Sequence, residues 1–336
     1  MSYVLAGIDE AGYGPVLGPL CVGLVVMKAP ESDPPGVPDL WKLLKDGVSR
    51  NPGRAGKTDR RGRVVIGDSK RLKLSNAVQT VDPLINLERG VLALLRQVAA
   101  LGDDFSDEAL FARLAVEFGG QGWYRRPPTK LPASVTAGEI AIAGAVLERA
   151  LAKAGACVLD MRCHVTCESD FNRVLRETGN KADTTIAAVC GHLRRVWELY
   201  GDGSHGRLGV VCDRLGGRSD YTGLLARAIP GAEIETVEVS PTRSRYVVSQ
   251  GARRAGVAFL VEGEDAHMPV AAASMTAKLV RELAMRRFNA HWCDVARAAA
   301  IELRPTAGYS TDGRRWIREA ESLIGDVQYE QLVRLA

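Results

Sequence analysis

An apolar run that stops on two adjacent acids limits this chain more than anything else in it. Tyr3-Val4-Leu5-Ala6-Gly7-Ile8 leads into Asp9-Glu10 and then into Ala11-Gly12-Tyr13-Gly14-Pro15. A short apolar run followed by glycine and proline reads as a buried strand entering a tight turn. Neighbouring carboxylates at the end of such a strand raise each other's proton affinity and resist burial. A hard divalent cation such as Mg²⁺ offsets that repulsion, because it takes carboxylate oxygens as ligands. An isolated Asp-Glu pair is ordinarily just solvated; the glycines around this one and three later motifs make it a candidate site.

Further strand-like runs fall at Cys21–Met27, Val64–Ile66, Cys157–Met161, Leu208–Asp213, Glu233–Val239 and Val257–Val261. Helical periodicity covers Pro83–Ala100, Asp107–Phe118, Glu139–Ala154, Thr184–Tyr200, Tyr221–Ala228 and a long segment, Val270–Val295, with Pro269 suited to its first turn. Early strands followed by alternating strands and helices predict an α/β fold, a mixed sheet flanked by helices. The chain reads as one domain over 1–336, with roughly 101–206 an inserted, mainly helical region. At 336 residues it is long enough for a substantial core. The seven cysteines lack framework spacing and point to a reducing compartment, and no apolar run is long enough to span a membrane, so a cytoplasmic location is expected. Cys163, His164, Cys167, Cys190 and His192 lack the paired spacing of a zinc site, and the cysteines read as scattered buried thiols. A net charge of +4 permits a polyanionic partner without requiring one.

Acids recur where strands end. Asp213 closes Leu208–Cys212, and Asp265 follows Val257–Val261 through Glu262-Gly263-Glu264. Open sheets gather ligands and catalytic groups at strand ends. Four converging carboxylates suit a pair of divalent ions that clamp the attacking and leaving oxygens of a phosphodiester. Complementary charge comes from the long helix, where Ser274, Lys278 and Arg281 share a face by their i, i+4, i+7 spacing. Gly67-Asp68-Ser69-Lys70 offers a further anion contact. Arg50, Arg54, Lys57, Arg60, Arg61 and Arg63 form a basic run that reads as a solvated loop, or as a phosphate-contacting arm.

Taken together, these segments resemble type 2 ribonuclease H, the ribonuclease HII family. The opening signature is matched by Gly7-Ile8-Asp9-Glu10-Ala11-Gly12-x-Gly14-Pro15 with Gly18-Pro19, and the second motif by Asp68-Ser69-Lys70-Arg71-Leu72. Val210-Val211-Cys212-Asp213 resembles the strand carrying the third acid, and Asp265 through Arg281 the fourth acid and its helix. Thr306-Ala307-Gly308-Tyr309-Ser310-Thr311 resembles the late glycine-tyrosine motif. The resemblance implies a ribonuclease H-like fold and a two-metal site for Mg²⁺ or Mn²⁺ held by Asp9, Glu10, Asp213 and Asp265. Glu264 competes for the fourth place, because the spacing from Asp265 to Ser274 is one residue short of the family pattern. It also implies that Lys70, Ser274, Lys278 and Arg281 contact or organise around phosphates, and that Tyr309 stacks on a sugar at an RNA–DNA junction.

Two departures bear on substrate. The family's Gly-Arg-Gly is Gly12-Tyr13-Gly14 here, and tyrosine has no guanidinium fork for a ribonucleotide. The stretch between Asp68 and Asp213 is also longer than the family's. The implied activity is metal-dependent cleavage of RNA in RNA–DNA hybrids, leaving 5′-phosphate and 3′-hydroxyl ends. A nuclease for another nucleic-acid structure and a non-catalytic nucleic-acid-binding protein are the alternatives.

Overall fold

The computed structural model describes residues 1–32, 36–52, 62–76, 80–102 and 104–335. Of the basic run, Arg54, Lys57, Arg60 and Arg61 lie outside the described residues. The first half of the chain holds strands β1 (Ser2–Ala11) and β2 (Leu20–Pro30), helix α1 (Leu40–Leu43), strands β3 (Val48–Ser49) and β4 (Val64–Val65), and helices α2 (Ser69–Leu72), α3 (Ile85–Leu95), α4 (Asp107–Arg113) and α5 (Ala137–Ala154). There follow β5 (Cys157–Thr166), α6 (Glu168–Thr178), α7 (Ala182–Tyr200), β6 (Arg207–Asp213), α8 (Thr222–Ala228), β7 (Glu233–Val239), β8 (Arg243–Gln250) and β9 (Arg253–Leu260). The last elements are α9 (Gly263–Ala266), α10 (Met268–Ala298), α11 (Ser310–Glu319) and α12 (Asp326–Leu332).

Seven strands form one mixed sheet in the order β5-β2-β1-β6-β9-β8-β7. The pairs β1–β6 and β6–β9 are parallel, and the flanking pairs are antiparallel. The predicted α/β class, a mixed sheet flanked by helices, is thus the observed architecture. Alternation along the strands sorts the two faces. Val4, Ala6 and Ile8 of β1, with Leu208, Val210 and Cys212 of β6, join the core under α7 and α8. Leu5 of β1 and Cys21 and Val25 of β2 join the larger core with α10 and α3. The stretch 101–206 takes part in both layers: it supplies edge strand β5, paired with β2, and α7 on the sheet face. All seven cysteines are free, and among the described residues no helix is long and apolar enough to cross a membrane.

Helix α10 sits unusually close to the sheet, and glycine makes the approach feasible. A Cβ on Gly7 would stand 2.1 Å from the Pro269 carbonyl carbon, and one on Gly23 would stand 2.2 Å from the Ala273 carbonyl oxygen. Both obstructions are backbone, which cannot swing aside. Gly7→Ala is therefore expected to cost about 3 kcal/mol by forcing β1 and α10 apart. Gly14→Ala, which meets nothing within 4 Å, should stay within about 0.5 kcal/mol. Urea denaturation of the two variants checks this, and equal stabilities would refute the close-packing account.

Candidate active site

The register of the sheet brings the first acids together. Ile8 pairs with Cys212 across the parallel β1–β6 ladder, so Asp9 and Asp213, the next residue on each strand, come side by side on one face. β1 runs on to Ala11, which makes Asp9 and Glu10 part of the strand and not of the turn after it. Asp9 is buried, and the Glu10 amide donates to its Oδ1 at 2.7 Å. Asp213 ends β6 and accepts the Gly263 amide on Oδ1 at 3.0 Å.

The next acid comes from the link between β9 and α10. Glu262 adopts the left-handed conformation, with φ of 55°, and turns the chain into the single-turn helix α9. That turn buries Glu264 and leaves Asp265 exposed. Glu264 Oε1 lies 3.8 Å from Lys70 Nζ, while Oε2 is buried with no hydrogen-bond partner among the described residues. Glu264, and not Asp265, thus stands with Asp9, Glu10 and Asp213.

The four carboxylates act on one another. Burial, then the charges of Glu10 and Asp213, push Asp9 well above the usual carboxylate range, against a hydrogen bond with Ser274. Glu10 is pushed up to about 7, by burial first and then by Asp213, with Lys70 opposing. Burial also raises Asp213 and Glu264. Burial opposes protonation of Lys70, but Glu264, Asp9, Asp68 and Asp213 together raise its pKa. Among the described residues no three of His, Cys, Asp or Glu already form a metal-holding group; the acids are linked by charge. Their chemistry nevertheless fits hard divalent cations: carboxylates that raise one another's proton affinity, one with an orphaned buried oxygen, beside the exposed Lys70 ammonium.

The expected phosphate-side residues fall into two groups. Lys70 is exposed, with its ammonium held loosely beside Glu264 at 3.8 Å. Ser274 is buried and hydrogen-bonds with Ser69 Oγ at 3.0 Å, tying α2 to α10. Arg281 is fully buried: it donates to the Leu17 and Ala307 carbonyls at 3.2 and 3.1 Å. It is therefore a brace between two loops and not a surface for phosphate. Lys278 is buried against Glu282 at 2.9 Å and donates to the Tyr309 hydroxyl at 3.3 Å. Tyr309 is 45% exposed, its ring backed by Arg281 at 5.3 Å and Lys278 at 5.6 Å. Burial pushes its phenol up, but Lys278 and Arg281 prevail and hold it below its ordinary value.

Gly12, with φ of 92°, needs glycine on two counts: the left-handed backbone, and the Arg281 Nε that would meet a Cβ at 2.5 Å. Gly14 is exposed, and Tyr13 lies partly buried under Lys181, whose Nζ is 5.2 Å from the ring centroid. Sequence reasoning missed the residue that fixes this turn. Arg334, buried after α12, donates to the carbonyls of Gly12 at 2.6 and 2.5 Å, Tyr13 at 3.2 Å and Gly18 at 3.5 Å. Its guanidinium lies 4.2 Å from the Phe171 ring centroid. No spacing or motif marks it, since its partners lie more than three hundred residues away. Glu168 braces the same turn, accepting from the Gly18 amide at 3.2 Å and the Tyr124 hydroxyl at 2.7 Å, and burial pushes it up to about 7. Cys163, Cys167, Cys190 and His192 are separately buried, and His192 Nε2 pairs with the Val22 carbonyl. A cavity of about 1120 Å³ lies apart from all this, on the sheet face lined by Leu5, Val211, Val247, Ala258 and Leu260, and contains none of the four acids.

No family model matches the sequence, and no curated protein does. Among solved structures the chain is similar to the PCNA:RNase HII complex from Archaeoglobus fulgidus (13% identity, 99% of this chain and 94% of that one, TM-score 0.42). It is also similar to ribonuclease H2 from Pyrococcus horikoshii OT3 (14%, 95% and 88%, TM-score 0.40) and to Bst-RNase HIII in complex with Mn²⁺ (14%, 100% and 66%, TM-score 0.40). These are likenesses of outline, and the chemistry of the site is read from this chain's own residues.

Proposed function

We propose that this chain is a divalent-metal-dependent, ribonuclease H-like endonuclease that hydrolyses the RNA strand of RNA–DNA hybrids to 5′-phosphate and 3′-hydroxyl ends. The observation that carries the reading is that Asp9, Glu10, Asp213 and Glu264, from the ends of β1 and β6 and from α9, act on one another's charge, each with its proton affinity raised. A protein that only bound nucleic acid would gain nothing from four carboxylates set where phosphates must come. Asp9, Glu10, Asp213 and Glu264 would hold Mg²⁺ or Mn²⁺. Such ions, when bound, supply an activated water and charge stabilisation for the leaving oxygen.

The remaining residues bind and orient. Lys70 offers a mobile ammonium to a phosphate oxygen. Tyr309, held in place by Lys278 and Arg281, presents a ring to a sugar or base. The carbonyl-anchored Gly12-Tyr13-Gly14 turn brings backbone, not a guanidinium, to a ribose 2′-hydroxyl. Recognition of a lone ribonucleotide in DNA should accordingly be weak.

The test is cleavage of labelled RNA–DNA hybrid, of duplex DNA carrying one ribonucleotide and of all-DNA duplex, in Mg²⁺, Mn²⁺ or EDTA. Metal-dependent cutting of the hybrid alone is expected. Glu264→Gln should lower the rate at least ~100-fold, and Asp265→Asn less than about threefold, since only the first removes a buried carboxylate from the cluster. Equal cutting of all-DNA duplex would reject 2′-hydroxyl recognition, and the reverse order of the two variants would return the fourth place to Asp265.

A further inference from the structure

The segment between β2 and α2, which carries Arg50 at the start of the basic run, builds a second feature beside the acids. The parallel pair β3–β4 sets Arg50, just after β3, against Gly67, just after β4; a Cβ on Gly67 would stand 2.5 Å from the Arg50 carbonyl oxygen. Trp41 of α1 is fixed in place by its indole N–H, which donates to the Ile66 carbonyl at 3.0 Å. The Arg50 guanidinium lies over that indole, 3.8 Å from the ring centroid. Among the described residues it makes no ion pair and donates no hydrogen bond. A cavity of about 230 Å³ opens between this stack and α2, lined among others by Trp41, Arg50, Asp68, Arg71, Glu264 and Asp265.

A guanidinium backed by an indole is fixed in plane and keeps its N–H groups for an anion. Asp68 is already engaged, accepting from the Lys70 amide at 2.8 Å and facing Arg71 Nε at 3.3 Å. Arg71 lines the same cavity as Arg50, and Lys70 lies 3.8 Å from Glu264. The cavity therefore runs from a phosphate-shaped donor to Glu264, the one of the four clustered acids among its lining residues. A small anion would be repelled by the acid end and would need only one of the two. A polynucleotide satisfies both, with one phosphate at the acids and a neighbouring one on Arg50.

We infer that Arg50, held on Trp41, docks a phosphate of the same strand next to the one placed at the four acids. The inference rests on the proposed nuclease reading for the identity of its ligand. It makes the site selective for a chain over a mononucleotide, with a contact that is independent of base sequence.

The experiment uses the full chain in EDTA, with a fluorescein-labelled RNA–DNA hybrid followed by anisotropy between 50 and 200 mM KCl, alongside Arg50→Ala and Arg50→Lys. Each phosphate contact contributes about 0.9 to the slope of log affinity against log salt. Wild type should thus lose about 3.5-fold more affinity across that fourfold salt range than Arg50→Ala. Arg50→Lys should recover the slope. The hybrid should also change the intrinsic fluorescence of the wild type and not of Trp41→Phe. Identical slopes for wild type and Arg50→Ala, with the wild type cutting hybrid normally, would overturn the docking site and leave the nuclease reading intact. An Arg50-dependent slope in a protein that cuts no hybrid in Mg²⁺ or Mn²⁺ would uphold the phosphate site and remove the nuclease reading.

Discussion

Asp9→Asn should abolish metal-dependent cleavage, by ~10³-fold or more, and at the same time stabilise the metal-free protein. The buried Asp9 carboxyl is pushed up by desolvation and by Glu10 and Asp213, so its ionised form opposes folding. For a carboxyl whose folded pKa lies above its unfolded one, the folded state binds more protons between the two values, and stability falls as pH rises through that window. Glu10, raised from 4.5 to about 7, alone corresponds to about 3 kcal/mol lost between those pH values. His192 works the other way: burial lowers it to about 4, which adds stability as pH rises from there toward the ordinary histidine value. The raw pH profile therefore mixes opposing slopes, and the difference between variant and wild type isolates the acids. Urea denaturation in EDTA should find the two nearly equal at acid pH, with Asp9→Asn increasingly ahead as pH rises above the ordinary carboxylate range. Saturating Mg²⁺ should stabilise wild type by about 2.7 kcal/mol at a hundred times its dissociation constant, and the variant far less. A stability difference that does not change with pH would show that the four carboxylates do not share a field.

Arg334→Met is expected to have the second large effect. Its guanidinium is buried, still charged at neutral pH although burial and Arg281 push it down to about 10, and holds three carbonyls of one turn. Removing it leaves those acceptors without donors and exposes the Phe171 ring, at a cost of about 3 kcal/mol. The loss should be local in character. Hydrogen exchange at Gly12 to Gly18 should accelerate while the amides of β1 and β6 keep their protection, and KM for hybrid should rise about tenfold with a smaller change in kcat. Arg334→Lys cannot restore this, because a single ammonium cannot span four hydrogen bonds. Full activity and stability in Arg334→Met would mean that the turn holds its shape unaided.

What could be read from the chain and what could not divide along physical lines. Strand-end acids were visible because an apolar run interrupted by carboxylates is rare and costly, and Asp9, Glu10 and Asp213 all lie toward the C-terminal ends of two adjacent interior strands. The neighbouring acids Glu264 and Asp265 could not be told apart by spacing. A left-handed residue at Glu262 decides which of them turns inward, and ordinary residues seldom signal that conformation. The shared face of Ser274, Lys278 and Arg281 was legible, but periodicity gives direction, not depth, and Arg281 proves wholly enclosed by two loops from elsewhere. Strand β8 escaped notice because its outward arginines, Arg243 and Arg245, dilute the apolar alternation. Arg334 and the Trp41–Arg50 stack depend on contacts between segments distant in sequence or separated by loops, which no local pattern encodes.

The reach of Arg334 has a consequence for how the protein is made. Gly12 and Arg334 lie 322 positions apart, so on a ribosome adding ~5–20 residues per second the turn waits roughly 15 to 65 s for the side chain that anchors it. Through that interval the acids of β1 exist without a fixed neighbouring loop. Fixing of the loop beside Asp9 and Glu10 is thus deferred until the segment that carries Arg334 has been made.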